Sequence, residues 1–194
     1  MLAPRKKLWS TPQSAITATA KLTYLRSTDK LYDIGCGDGQ VILHLAKTTQ
    51  CHHFVGIEID PHRAKEAILN IESANLDPRI QVEIRCQNAL DLVDLVDATV
   101  IFCYLIPRGL RLIKPIVERT VKARRKIRAK TLFEKEERDG DKTSSSAMEK
   151  MTGPLLKVIT FMSKFDDETF VSKETCTVEH QSGAKWPVYL YHFN

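Results

Sequence analysis

The sequence predicts an α/β protein built on a doubly wound, mostly parallel sheet of seven strands that ends in an antiparallel hairpin. Three observations support this prediction: short apolar runs alternate with amphipathic segments, a glycine-rich turn follows the first run, and three strand-like runs close the chain. Strands that alternate with helices pair in parallel through right-handed crossovers. A single domain over residues 1–194 is expected, because 194 residues with 43% hydrophobic content can bury one substantial core.

The strands are predicted from apolar or alternating runs of residues. These runs cover residues 30–35, 53–60, 80–86, 98–106, 154–165, 176–180 and 187–193. The fourth run is continuously apolar, which is typical of a strand buried on both faces of a sheet. The segment QSGAKW joins the last two runs, and so short a connection predicts the antiparallel hairpin.

The first three helices are predicted from start signals and a 3.6-residue apolar repeat. The N-terminal helix is expected over residues 11–26, with Thr11 as its N-cap and Pro12 as its first residue. A second helix is expected over residues 41–47, after the glycine-rich turn, and a third begins at Pro61.

A long basic helix is expected over residues 110–130. Its inward-facing residues are predicted to be Leu112, Ile116, Val117 and Val121. Residues 134–150 are rich in charge and serine and poor in large apolar side chains, so they cannot bury enough surface to order themselves. We therefore expect a mobile insertion there.

The composition excludes several classes of protein. Five scattered cysteines without a CxxC pair argue against a disulfide framework and a structural zinc site, and six histidines lack ligand spacing, so no metal is expected. No apolar window is long enough for a transmembrane segment. We expect an intracellular, cytoplasmic protein. The mitochondrion is the alternative compartment, because residues 1–28 are basic, free of acids and rich in Ser and Thr, as presequences are.

The stretch LYDIGCGDGQ places an acid at the end of the first strand and glycines at positions 35, 37 and 39. A strand, a glycine-rich turn and a helix form nucleotide sites at the carboxyl ends of parallel strands. The dinucleotide fingerprint is not met, since Gln40 stands where its third glycine belongs. Asp33 would repel a diphosphate but attract an ammonium, and S-adenosylmethionine (SAM) carries an ammonium and a sulfonium without phosphate. The alternative is a set of tight turns beside a solvated acid.

Glu58 is the second acid, nineteen residues after Gly39 at the end of the second strand. A carboxylate there can accept hydrogen bonds from both hydroxyls of a ribose. Asp60 lies two residues further on and is expected to point away.

These residues resemble the class I, Rossmann-like SAM-dependent methyltransferases. DIGCGDG matches the first motif of that family and GIEIDP the second, within a resemblance that runs over residues 9–117. The family usually has Asp or Glu near the adenine amine after the third strand, where this chain has Asn88. The resemblance implies SAM as cofactor, with these cofactor-binding residues: Asp33, Gly35, Cys36, Gly37, Gly39, Glu58, Ile59, Asn88, Ala89 and Cys103.

A more particular resemblance is to the small Rossmann-type protein-lysine methyltransferases that modify mitochondrial membrane proteins, and more distantly to Rossmann-type histone-lysine enzymes. It rests on WSTPQSAI, DIGCGDGQVILHLAK, GIEIDPHRAKEA and ATVIFCYLIP. It implies a lysine of a protein as acceptor. The hydrophobic membrane anchor of the mitochondrial members is absent here, and the 134–150 insertion is an addition.

Two aromatic residues are the candidates for catalysis. Trp9 could hold an ammonium by cation-π attraction, or it could fix the first helix to the sheet. Tyr104 follows the fourth strand, where its ring could line the acceptor channel and its hydroxyl bind an amine, or it could simply pack. Cys103 before it needs no role beyond filling the core.

The basic run at residues 122–130 leaves the acceptor open. It could bind RNA, anionic lipid or an acidic protein, or it could be a solvated helix end that needs no partner. The leading interpretation is a protein-lysine N-methyltransferase. The alternatives are an RNA or small-molecule methyltransferase and a SAM-fold binding module that has lost catalysis. The oligomeric state is not predicted.

Overall fold

The computed structural model describes residues 10–93, 95–139, 154–178 and 183–194. The helices are α1 (Gln13–Thr23), α2 (Gln40–Thr48), α3 (Pro61–Ser73) and α4 (Pro107–Asp139), with one 3-10 turn at Ala89–Asp91. The strands are β1 (Lys30–Ile34), β2 (His53–Glu58), β3 (Gln81–Cys86), β4 (Val100–Cys103), β5 (Leu156–Phe161), β6 (Ser172–Val178) and β7 (Ala184–Phe193).

All seven strands form one sheet in the order β3-β2-β1-β4-β5-β7-β6. The strands β3, β2, β1, β4 and β5 pair in parallel, while β7 pairs antiparallel with both β5 and β6. The predicted fold class is confirmed, including its C-terminal hairpin. The strand order reverses direction between β1 and β4, and the carboxyl ends of two such strands open a crevice for a ligand.

Helices cover both faces of the sheet and divide the core in two. On one face, α1 and α2 bury Ala15, Ile16, Val41, Ile42 and Leu45 against Phe54, Phe102 and Phe161. On the other face, α4 buries Leu110, Ile113, Ile116 and Val117 against Ile101, Val158 and Tyr191. Each large apolar side chain buried in this way stabilises the fold by about 1.5 to 3 kcal/mol.

The N-terminal helix is shorter than the predicted 11–26. Pro12 is its N-cap rather than its first residue, because Pro12 has extended dihedrals (φ −62, ψ 146) and its carbonyl accepts from Ala15 N–H at 2.9 Å. Thr11 therefore lies outside the helix, and the predicted N-cap is wrong. At the other end, Tyr24 adopts the left-handed conformation (φ 44) and stops the helix.

The boundaries of several strands differ from the predictions. β4 ends at Cys103 instead of residue 106, because Pro107 already opens α4. The fifth strand covers only Leu156–Phe161 of the predicted 154–165. β6 begins at Ser172 instead of residue 176, since its pairing with β7 extends back to Leu190.

The basic helix is longer than predicted. It runs from Pro107 to Asp139, so the predicted mobile insertion is wrong for residues 134–139, and residues 140–150 lie outside the described residues. Glu, Lys and Arg are good helix formers, which favours continuation of the helix into this charged segment. Among the described residues, no helix has both the length and the hydropathy of a membrane span.

The buried stripe of α4 is shifted from the predicted one. Leu112 was expected to face inward but is 39% exposed, whereas Ile113 is 4% exposed. Ile116, Val117 and Val121 are buried as predicted. Leu110, Ile113 and Val117 follow the spacing of three and four residues that keeps one face of a helix against the sheet.

Candidate active site

The glycine-rich turn forms the floor of the crevice at the ends of β1 and β2. Gly35, Gly37 and Gly39 have φ of +83, +58 and +84, a region that residues with a side chain rarely adopt. The turn is fixed to β2 because Gly35 N–H and Cys36 N–H both donate to the Ile57 carbonyl, at 2.8 and 3.0 Å. The turn thus places backbone without side chains at the carboxyl ends of β1 and β2.

Two of the glycines also lie close to side chains of α3. A Cβ atom at Gly37 would lie 3.2 Å from Arg63 Nη1, and one at Gly39 would lie 3.3 Å from Ala67 Cβ. At Gly35 the nearest side-chain atom, on Leu105, would be 3.9 Å away, so only the backbone conformation requires glycine there. The α2 N-terminus at Gly39 can therefore lie close against α3.

Glu58 ties the glycine turn to the start of α3. Its side chain is 5% exposed; Oε2 accepts from Gly37 N–H and Oε1 accepts from Asp60 N–H, both at 2.9 Å. Each oxygen of a carboxylate can accept a second hydrogen bond, so both remain able to accept from ribose hydroxyls. The Asp60 carboxylate turns to α3, where it caps the helix by accepting from His62 N–H at 2.9 Å.

Asp33 is a buried carboxylate whose Oδ2 has no hydrogen-bond partner among the described residues. It lies on β1 between Gly56 and Phe102 and is 2% exposed. Burial, followed by the negative charges of Glu58 and Asp38, raises the pKa of Asp33 to about 8. A cation placed beside Oδ2 would supply the missing partner and offset the repulsion between the acids.

These features fit SAM. Asp33 is placed to receive an ammonium, Glu58 to receive ribose hydroxyls, and the glycine turn lets a ligand approach the backbone. When bound, SAM supplies an electrophilic methyl group on a sulfonium. Among the described residues, no three His, Cys, Asp or Glu side chains come together in a way that could hold a metal ion.

Three further predicted cofactor residues, Ile59, Asn88 and Ala89, follow the ends of β2 and β3. β3 places Cys86 opposite Glu58, so Asn88 lies at the same edge two residues beyond. Asn88 Oδ1 accepts from Leu90 N–H at 3.1 Å and caps the Ala89–Asp91 turn, which leaves one lone pair of the amide oxygen for a donor such as an adenine amine. Ile59 is 55% exposed beside Glu58 and offers an apolar surface.

Two cysteines of the predicted cofactor set are buried thiols. Cys36 is 5% exposed and its sulfur faces Gly56, so its side chain points into the core and only its backbone lies on the turn. Cys103 is fully buried, opposite Ile34. Burial, and then the charge of Asp33, raises the pKa of both thiols, which keeps them protonated and makes them poor nucleophiles.

Tyr104 extends from the end of β4 on the same face of the sheet as Asp33. Its ring meets the Phe161 ring edge to face, with centroids 4.7 Å apart, and its hydroxyl donates to Met162 Sδ at 3.1 Å. Burial raises the pKa of Tyr104, so the phenol stays protonated. Trp9, the other predicted catalytic residue, lies outside the described residues.

Comparison with known proteins adds to this geometry. The sequence model of the ANTKMT methyltransferase domain matches residues 33–131, just over half of the chain. The chain belongs to this family. It is a SAM-dependent methyltransferase, and its matched region contains the glycine turn, Glu58 and Tyr104.

One curated relative of this methyltransferase is a protein-lysine N-methyltransferase from Saccharolobus islandicus (strain REY15A). The two are 30% identical over 112 residues, which make up 58% of this chain and 68% of the relative.

Two solved structures share its fold. One is an RNA methyltransferase from Salinibacter ruber in complex with S-adenosyl-L-homocysteine, with a TM-score of 0.65, 23% identity and coverage of 95% of this chain and 94% of that one. The other is M. capricolum TrmK in complex with S-adenosyl-homocysteine, with a TM-score of 0.57, 10% identity and coverage of 92% and 67%. At these identities the likeness shows the fold alone.

The basic stretch of the methyltransferase lies at the opposite edge of the sheet from the cofactor crevice. Arg124 Nη1 donates to the Val96 carbonyl at 2.7 Å, just before the start of β4, and Arg125 donates to the terminal Asn194 at the end of β7. Both acceptors lie at the amino ends of β4 and β5. From Pro107 to Arg124 the helix spans about 26 Å. The predicted basic stretch therefore does not meet the crevice, and part of it serves to hold the fold.

Sequence reasoning missed Met162, which follows β5 beside Tyr104. Its φ is +66, although it carries a side chain, and its N–H donates to the Pro187 carbonyl at 2.9 Å. In the sequence it falls inside the run predicted as the fifth strand. Nothing in that run signals a left-handed residue, so only the three-dimensional pairing of β5 with β7 reveals it.

Proposed function

We propose that this methyltransferase is a protein-lysine N-methyltransferase. The observation that carries the proposal is its 30% identity to the Saccharolobus islandicus protein-lysine N-methyltransferase, of which it covers 68%. The matched family model spans residues 33–131 and so includes the crevice from Asp33 to Tyr104. This match supports assigning the relative's reaction to this chain.

The residues around the crevice also suit an aliphatic amine. The fourth strand continues as IFCYLIP and lacks an Asn-Pro-Pro-Tyr or Asp-Pro-Pro-Tyr motif, which would hold an amide or a nucleobase amine. In its place stand apolar groups and one hydroxyl, that of Tyr104 beside Phe161. A lysine side chain has the same character, since its methylenes are apolar and only its end is polar.

Transfer requires a neutral amine in line with the methyl group. The N–C bond forms while the C–S bond breaks, its electron pair stays on sulfur, and the proton that the lysine ammonium must lose passes to water. Asp33, Glu58 and the glycine turn are suited to fix the donor. The groups at the ends of β4 and β5 are suited to orient the acceptor within the distance of about 3 to 3.5 Å that transfer demands.

An RNA methyltransferase is the second candidate. The Salinibacter ruber protein that shares the fold is an RNA methyltransferase. The feature that would favour RNA here, the basic stretch 122–130, lies near Val96 and Asn194 and away from the crevice. A bound RNA would have to extend over about 26 Å to touch both, and we therefore rank lysine first.

Radiolabelled SAM separates the two candidates. The protein is incubated with a heat-treated cell extract and methyl-tritiated SAM, and the label is followed before and after RNase or protease treatment. We expect protease-sensitive label that elutes with methyl-lysine after acid hydrolysis, and Asp33→Asn is the matched control that should reduce it about tenfold or more at subsaturating SAM. Label lost to RNase would overturn the lysine proposal in favour of RNA. The cytoplasmic location predicted from the sequence stays a proposal, which cell fractionation would test.

A further inference from the structure

The hydroxyl of Tyr104 has an unusual partner. It donates its proton to the thioether of Met162 at 3.1 Å, and a thioether sulfur is a weak acceptor that carries no proton of its own. Among the described residues, the Tyr104 oxygen accepts no hydrogen bond. With its one proton directed at sulfur, the oxygen presents only lone pairs to its other side.

Met162 is held in place by the backbone around it. Its left-handed φ of +66 is strained for a residue with a side chain. Its N–H donates to Pro187, and the next turn is closed by Thr160 Oγ1, which donates to the Ser163 carbonyl at 2.6 Å. Strain of this kind persists where surrounding structure fixes it, and here it aims the thioether at Tyr104.

The pair lies where the acceptor must approach. Asp33 is opposite Phe102 in the register of β1 and β4, and Tyr104 follows Phe102 by two residues on the same face. Tyr104 is displaced from Asp33 by one strand spacing across the sheet and by two residues along the strand. The Cα atoms of Asp33 and Tyr104 are therefore about 8 Å apart. A cofactor held by Asp33 would therefore lie on the same side of the sheet as the Tyr104 side chain.

We propose that Met162 is a positioning residue for methyl transfer: its thioether takes the Tyr104 proton, so that the phenol oxygen accepts an N–H of the acceptor amine. The inference rests on the proposed function, because it requires an acceptor that carries N–H groups. An amine attacks through its lone pair, so its N–H groups need acceptors that leave the lone pair aligned with the methyl group. A ring nitrogen with only a lone pair gains nothing from such an oxygen.

The protonation of Tyr104 agrees with this role. Burial raises its pKa, so the phenol keeps its proton and does not serve as the base. The edge contact with Phe161 limits rotation of the ring and keeps the oxygen at a fixed position.

Four variants test the proposal by initial rates of tritium transfer to protein lysine in the heat-treated extract at saturating SAM. Met162→Leu keeps an apolar side chain of similar volume but removes the acceptor, and we expect at least a fivefold loss of rate with unchanged SAM affinity. Tyr104→Phe should lose at least as much, and the double variant no more than Tyr104→Phe alone. Met162→Gln restores an acceptor at similar reach and should recover at least half of the wild-type rate.

Several outcomes would overturn the inference: a wild-type rate for Met162→Leu, losses that multiply in the double variant, or a Met162→Gln rate as low as that of Met162→Leu. RNase-sensitive label would instead show that the lysine proposal has failed.

Should Met162→Leu not fold, norleucine incorporation replaces Sδ with a methylene of nearly the same shape. The same loss is expected there, while norleucine in the Met162→Gln background should change nothing, and a wild-type rate for the norleucine protein would refute the role of sulfur.

Discussion

Replacing Asp33 by Asn is expected to stabilise the free protein near neutral pH while it weakens cofactor binding. Asp33 is 2% exposed, and its pKa is raised to about 8 by burial and by the charges of Glu58 and Asp38. Asn has nearly the same shape but cannot ionise, so the substitution isolates the effect of the charge.

The size of the effect follows from proton linkage. Below the ordinary Asp pKa, native and unfolded states are both protonated and the site has no pH-dependent effect on stability. Between that value and about 8, the unfolded chain has lost its proton while native Asp33 keeps it, so the free energy of unfolding falls by about 1.4 kcal/mol per pH unit. Above about pH 8 both states are ionised and the loss is complete, on the order of 5 kcal/mol.

Urea unfolding followed by circular dichroism measures this effect. From about pH 5 to about pH 7, the stability of Asp33→Asn should rise by about 2.5 kcal/mol relative to the wild type. Asp166→Asn is the matched control, because the Asp166 side chain is 66% exposed, and it should follow the wild-type profile. A constant difference between Asp33→Asn and the wild type over that range would show that Asp33 is already ionised, and the reasoning would be wrong.

The Asp33→Asn substitution is expected to lower the affinity for SAM. Loss of a charge-assisted hydrogen bond to the SAM ammonium should weaken binding by about 1.5 to 3 kcal/mol, or roughly tenfold to 150-fold. SAM binding to the wild type near pH 7 should also release close to one proton, since the cation favours ionised Asp33. Calorimetry in two buffers of different ionisation heat detects this proton, and wild-type heats that are equal in both buffers would contradict it.

Three further substitutions test other parts of the site and fold. Gly39→Ala should destabilise the protein by about 1 to 2 kcal/mol from its φ of +84, and its Cβ would lie 3.3 Å from Ala67 Cβ, so urea unfolding should show a larger loss than for Gly35→Ala, where there is room. Glu58→Gln replaces one acceptor with a donor opposite a backbone N–H, so SAM affinity should fall by about 1.5 to 3 kcal/mol; unchanged calorimetric affinity would remove Glu58 from the site. Thr120→Val leaves the buried Leu95 N–H, now bonded to Thr120 Oγ1 at 2.9 Å, without a partner. It should cost about 1 to 3 kcal/mol of stability with no change in SAM affinity, and a loss of affinity would mean that α4 shapes the crevice.

Most of the fold could be predicted because local patterns agree with the sheet. The alternation of strands and helices from Lys30 to Cys86 predicts parallel pairing, and the short connection between the closing strands predicts a hairpin. The end of α4 could not be predicted, because the composition rule that marks charged segments as disordered conflicts with the helix propensity of Glu and Lys. In residues 134–139 the propensity prevails, as a continuation of a helix that is already nucleated.

The cofactor side of the site was more readable in the sequence than the acceptor side. The predictions for Asp33, Glu58 and the glycines depend on residue spacing and on backbone conformation. Spacing can be read directly from the sequence, and an unusual backbone conformation is indicated by glycine. The roles of Tyr104 and Met162 depend on two strands, β4 and β5, that are adjacent in the sheet and far apart in the chain. Such a contact has no local pattern, so the sequence could indicate Tyr104 by its place after a strand and could not indicate Met162 at all.

Because two acids are buried in one crevice, the protonation state of Asp33 that stabilises the free protein differs from the one that suits a bound ammonium. Without ligand, Asp33 avoids the repulsion of Glu58 by keeping its proton, and that neutral form is the less suited to an ammonium. Binding of a cation must therefore first ionise Asp33, so part of the interaction energy is spent on the proton near neutral pH. SAM and its product S-adenosylhomocysteine both carry the ammonium, so Asp33 as the partner of that group would not distinguish the two. Any preference for SAM would have to arise at the sulfonium, the charged group that S-adenosylhomocysteine lacks.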